Sequence, residues 1–239
     1  KKGTTMISAT PAGPALAVAA LPNFIRLTVA FSINHACVTA ILNLSVSLLG
    51  DNGSYQSGSL YLTYALTALF LSTSLLELMG PRSALLLGAA LYCVYILSFP
   101  AALLTPDSLP AVGIAVALVG GIIGGFAAGF LWAAQGTYFA LNARLYAAEH
   151  SLEVQEANTF LASVFAAIFL GIEVLLKVLP EALSPLKNIE FTLVHGANKV
   201  SVQNLTVACS YSILAIASVA GLLTIADLRD GQRQVEAAE

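Results

Sequence analysis

Apolar runs of about 20 residues, each closed by a charge, a proline or a glycine, recur along this chain and predict six membrane-spanning helices. They fall near 24–48, 59–79, 83–104, 111–134, 158–179 and 207–226. The expected fold is therefore an all-α integral membrane bundle. Residues 1–22 precede the first span as a mobile or processed lead-in, rich in small residues and broken by Pro11, Gly13 and Pro14. Residues 229–239 form a polar tail, and 23–228 hold the six-helix domain. Pro100 lies inside the third span, where neighbouring helices re-satisfy the carbonyl it frees.

Two connections exceed a tight turn. Between the fourth and fifth spans, Leu141, Leu145 and Ala148 repeat at helical intervals, which predicts an amphipathic helix in the interface plane. The carboxylates from Glu149 to Glu156 then read as a solvated connection. Between the fifth and sixth spans, 189–194 and 200–203 flank His195-Gly196-Ala197-Asn198, the pattern of a small β-hairpin.

The fourth span carries Gly121, Gly125 and Gly129 four residues apart, hence on one helix face. In water so many glycines would weaken a helix by about 1 kcal/mol each. In a bilayer the backbone must be helical, and a small-residue face lets a neighbouring helix approach closely. No glycine-rich phosphate loop is present: G-x-G-x-x-G and G-x-x-x-x-G-K are both missing.

Composition fits this medium. The 239 residues are 58% hydrophobic and 10% charged, with mean hydropathy +0.84. No basic run suggests nucleic acid. Cys37, Cys93 and Cys209 sit apart inside apolar spans and read as small buried hydrophobes. With the N-terminus cytoplasmic, that side carries Lys1, Lys2, Arg26, Arg82, Arg144, Arg229 and Arg233. The opposite side carries Lys177, Lys187 and Lys199, so the bias puts both termini on the cytoplasmic or equivalent side. The triplets at Asn52 and Asn204 match the glycosylation sequon on the opposite side. No exposed Ser/His/Asp or Cys/His grouping points to an enzyme.

Polar groups within the spans are the functional candidates. Glu173 lies in the fifth span with Lys177 four residues on, the order a helix pair prefers. The first span offers Asn34 and His35, then Thr39, Asn43 and Ser47 as one polar stripe. That stripe serves either a solute cavity or interhelical hydrogen bonding. His35 has no His, Asp or Glu at metal-ligand spacing, so no metal site is expected there; a lone membrane histidine is more often hydrogen-bonded to a neighbour, with an axial bond to a pigment magnesium as the alternative.

Three segments carry a family resemblance. They are Asn43–Gly50 with Gly53–Gly58, Tyr61 and Tyr64; Leu78–Tyr95, including Gly80-Pro81-Arg82-Ser83; and above all Gly125-Phe-Ala-Ala-Gly129-Phe-Leu-Trp132-Ala-Ala-Gln135-Gly136-Thr-Tyr138. Across roughly 27–180 the chain resembles the ion-channel-regulatory (Unc-ninety-three-like) branch of the major facilitator superfamily. The resemblance implies the first six helices of a twelve-helix protein, around a cavity lined by Asn43, Tyr61, Tyr64, Trp132 and Gln135. The usual loop between helices two and three resembles G-x-x-x-D-R-x-G-R-R, and here only Arg82 of its charges remains.

Two functions follow. The first is half of a facilitator-like transporter or regulator, facing a second six-helix half. The other is an accessory or scaffold subunit of a photosynthetic or respiratory membrane complex, with bound lipid or pigment as an option. In that case Gly125 would meet a partner, and leucine there would release the chain from its complex.

Overall fold

A computed structural model describes residues 19–106, 108–192 and 199–228. Its helices are α1 (Ala20–Leu49), α2 (Asp51–Phe70), α3 (Ser72–Met79), α4 (Pro81–Leu103), α5 (Pro110–His150), α6 (Val154–Ala182) and α7 (Val202–Leu223). Strands β1 (Glu190–Thr192) and β2 (Lys199–Ser201) form an antiparallel ribbon. Among the described residues, five helices are long and apolar enough to cross a bilayer, or six when α2 and α3 count as one bent span. The chain is an all-α integral membrane bundle, multi-pass, with one short ribbon. Residues 1–18 of the predicted lead-in and all of the predicted tail lie outside the described residues.

Local chemistry sets the boundaries. Gly50 turns α1 into α2 at φ +56°, and Gly80 precedes α4 at φ +74° with Pro81 as the first helical residue. Ser201 caps α7, its hydroxyl accepting from the Asn204 amide at 3.2 Å. Between α2 and α3 the axis bends by 67°. The break falls at Leu71, whose φ of −120° lies well outside the helical value.

The connection after the fourth span differs from expectation. No separate interfacial helix forms: α5 runs unbroken for 41 residues to His150, and only Ser151–Glu153 turn the chain into α6. At about 1.5 Å per residue it outreaches a 30 Å hydrocarbon core twofold. Its far end is held because Asn142, Ala143, Leu145 and Tyr146 are buried. Tyr146 also stacks between His150 (4.1 Å) and Phe160 (5.4 Å), closing the α5–α6 corner. Glu149 is not merely solvated, since its carboxylate accepts from the Ala20 amide at the start of α1.

The ribbon pairs Glu190 with Ser201, Phe191 with Val200 and Thr192 with Lys199, as the alternation predicts; its turn, 193–198, lies outside the described residues. Both sequon asparagines stand in first helical turns, Asn52 in α2 and Asn204 in α7. Cys37 and Cys93 are buried, whereas Cys209 is exposed on α7, because position 209 points away from the bundle.

Helix α5 is the centre of the bundle. A Cβ on Gly121, Gly125 or Gly129 would come within 2.1 Å of the Ser59 hydroxyl, 2.2 Å of the Leu60 carbonyl and 2.4 Å of Thr67 Cβ, all on α2. Gly120 and Gly124 make the same approach to Ser98 and Tyr95 of α4. The five glycines thus serve two interfaces within this chain. Gly125 meets α2 and not a separate subunit, which corrects the placement expected for it in the accessory-subunit reading.

Among the five long apolar helices, α6 packs least. Only 11% of its most apolar stretch is buried, against 56% for α5. Leu170, Val174, Leu175 and Val178 are exposed on it.

Candidate functional site

Two four-residue stripes meet where α1 crosses α6. On α1, Phe31, His35 and Thr39 share a face; on α6, Phe165, Phe169, Glu173 and Lys177 do. Aromatic rings occupy one end of the contact, with Phe31 lying 6.3 Å from Phe165 and 6.4 Å from Phe169. His35 stacks on Phe169 at 5.3 Å. Trp132 of α5 closes the group edge-on, 5.0 Å from Phe31 and 4.9 Å from His35.

Glu173 lies at the polar end, 6% exposed. One carboxylate oxygen meets the Lys177 ammonium at 2.6 Å, and the Thr39 hydroxyl is 3.2 Å from both oxygens. His35 Nε2 stands 3.8 Å from the other oxygen, too far for a hydrogen bond. A buried carboxylate without partners would be costly, and here the charge is matched by Lys177 within its own helix. Spacing alone shows the Glu173–Lys177 pair. What joins Glu173 to His35 and Thr39 is the crossing of two helices more than a hundred residues apart in sequence.

The other candidates are dispersed. Asn34 points away from His35 into the α1–α4–α7 interior; its amide donates to the Ser218 hydroxyl at 2.9 Å and lies 3.4 Å from the Ala89 and Ala215 carbonyls. It acts as interhelical glue within the chain, since on a helix adjacent residues face about 100° apart. Asn43, Tyr61 and Tyr64 are exposed, Tyr61 by 56%. Gln135 is buried one turn beyond Trp132. The Thr39–Asn43–Ser47 stripe is divided, as Thr39 reaches Glu173 while Asn43 and Ser47 stay on the surface.

Two polar networks escaped the sequence reading. In the first, the Asn23 side-chain amide donates to the Tyr138 hydroxyl (2.9 Å) and to Oδ1 of the Asn142 side chain (3.0 Å), and its own oxygen accepts from the Ala226 backbone amide (2.8 Å). Tyr138 donates in turn to the Ala226 carbonyl at 2.6 Å. Arg82 joins them, donating to the Ile225 and Leu223 carbonyls at 2.9 and 3.1 Å and so capping the end of α7. In the second, Gln56 bridges Ser45 (2.6 Å) and Ser98 (2.8 Å) across α1, α2 and α4. Asn23 at the start of an apolar run and Gln56 on a helix were the available signals.

The helices and their buried polar links define a multi-pass membrane protein whose chemistry gathers at the α1–α5–α6 crossing. Comparison with known proteins agrees with that class. The chain is similar to UNC93-like protein 3 of Arabidopsis thaliana, 31% identical over 126 residues, a stretch that is 53% of this chain and 25% of that protein. The match thus spans about a quarter of the length of the curated relative. No family model matches the chain.

Proposed function

We propose that this chain is a six-span unit of a facilitator-type, Unc-ninety-three-like membrane protein that moves a solute along the α1–α5–α6 face, opposite a second six-helix unit. The observation that carries the reading is Glu173, a buried carboxylate inside the long apolar helix that packs least on its own chain. An ionisable residue in a span costs about 2.5–3.5 kcal/mol on insertion scales, and such residues are functional by default. The thin packing of α6 leaves that face to be covered by a second unit. Asn43, Tyr61 and Tyr64, exposed on α1 and α2, are the cavity residues of this reading. The Lys and Arg bias favours the end of the bundle that carries Arg82 and Asn23 as the cytoplasmic one.

The test is aqueous accessibility in the native membrane. Cysteines placed at Asn43 and Tyr61 should react with a membrane-impermeant maleimide, and one placed at Leu161, buried within the bundle, should not. Failure of both cavity positions to react would overturn the reading.

A second reading, a non-transporting regulator or scaffold subunit, is favoured by the apolar outer face of α2 and α3. Leu62, Leu66, Leu69, Phe70 and Leu78 are exposed there, a surface that another membrane protein can cover. Charged substitution at Leu69 and Phe70 would then detach the chain from its assembly while leaving its own bundle folded.

A further inference from the structure

We propose that His35 is a proton-binding site that fastens α6 to α1, and that Trp132 reports its occupancy. The inference goes beyond solute movement, because a bundle that carries nothing can still bind the proton.

The argument begins with unsatisfied nitrogens. His35 sits half-way along α1, its Nδ1 buried without a hydrogen-bond partner and its Nε2 3.8 Å from a Glu173 oxygen. A neutral imidazole has one N–H and one lone pair. In the Nδ1–H tautomer the Nε2 lone pair faces the carboxylate, and in the Nε2–H tautomer the N–H stands 3.8 Å from it, so in neither does a hydrogen bond form. A proton taken up at Nε2 places an N–H opposite that oxygen, and a shift of the ring that closes the 3.8 Å gap to hydrogen-bond distance would make a charge-assisted bond across the helix crossing.

Glu173 then has two cations to choose between. Lys177 binds it within α6 and ties nothing together. Protonated His35 would bind it from α1, adding an interhelical bond to the Thr39 contact. Helix α6 buries little else against its own chain, so this bond would change how firmly it is docked. Burial is the first thing that opposes an imidazolium at this position; of the charged groups that face it, Glu173 at 3.8 Å attracts it and Lys177, paired to the same carboxylate, repels it. From α5 the ring meets Trp132, which does not titrate, and the Tyr211 hydroxyl of α7 is engaged with the Leu176 carbonyl at 2.7 Å.

Trp132 is the chain's single tryptophan and stands 4.9 Å from His35. An imidazolium at that distance quenches indole emission, whereas a neutral imidazole does so weakly. The experiment is a pH titration of tryptophan fluorescence from pH 5 to 8 on the protein in nanodiscs, with Trp132→Phe as baseline. Histidine is the side chain that ordinarily titrates in this window. The expected result is reversible quenching on acidification, lost in His35→Asn. Glu173→Gln should move the midpoint down and Lys177→Gln should move it up, each by about 1 pH unit or more. Flat emission in the unmodified protein would overturn the proposal, as would an unchanged titration in His35→Asn. Should His35→Asn fail to fold, Lys177→Gln decides: its side chain is 46% exposed, and a midpoint that does not move refutes the site.

Discussion

Replacing Gly125 by alanine tests the account of the bundle's centre. The added Cβ would stand 2.2 Å from the Leu60 carbonyl oxygen and 2.9 Å from the Tyr64 amide nitrogen, where ordinary contact begins at 3.4 Å. Both neighbours are backbone of α2, so no side chain can swing aside. The helices must part by roughly 1 Å, which also loosens the contacts at Gly121 and Gly129 one turn away on either side. Overpacking of this kind costs typically 1–3 kcal/mol, and a backbone-on-backbone clash belongs at the upper end. For a chain of this size each kcal/mol is worth about 2–4 °C, so the melting temperature should fall by about 6–12 °C. Gly136→Ala is the matched control on the same helix, with nothing within 4 Å of its Cβ. The assay is the thermostability of the detergent-solubilised protein, read as the surviving monodisperse fraction after heating. Equal melting temperatures for the two variants would refute the reasoning.

Other parts of the structure make sharper or smaller claims. Asn23→Ala leaves the Ala226 amide and the Asn142 oxygen short of partners, and each buried orphan costs about 1–3 kcal/mol; a thermostability loss below that of an exposed asparagine substitution would count against the network. Lys177→Met strands the Glu173 carboxylate and should destabilise more than the double variant with Glu173→Gln, so a thermodynamic cycle with no coupling between the two would show the pair to be idle. Arg82→Gln removes two bonds to the end of α7, and hydrogen exchange should speed up at 222–226 with no change in the middle of that helix.

The individual spans were legible in the sequence because each is a local property: a bilayer demands about 20 apolar residues in a row, and 58% hydrophobic composition supplies them repeatedly. The glycine stripe was equally legible as a packing face, since periodicity alone puts residues 121, 125 and 129 in line. Its partner was not. That α2 of the same chain fills the stripe, while Gly120 and Gly124 serve α4, depends on how three helices are arranged in space. The end of α5 was misjudged for a related reason. An apolar pattern at helical spacing looks the same whether the segment lies in an interface or continues a helix, and only the burial of Asn142 and Tyr146 tells the two apart.

The same division runs through the candidate site. Sequence determined that Glu173 lies in a span and that Lys177 is its neighbour, because four residues make one helical turn. It also determined that His35 and Trp132 lie inside spans. Tertiary structure alone decided that His35, Thr39 and Trp132 gather at Glu173 while Asn34, next door to His35, turns to Ser218. A helix fixes the angle between its own side chains, but which side faces another helix is settled by the crossing of elements far apart in the chain. Contacts of that range leave no periodic trace in one sequence.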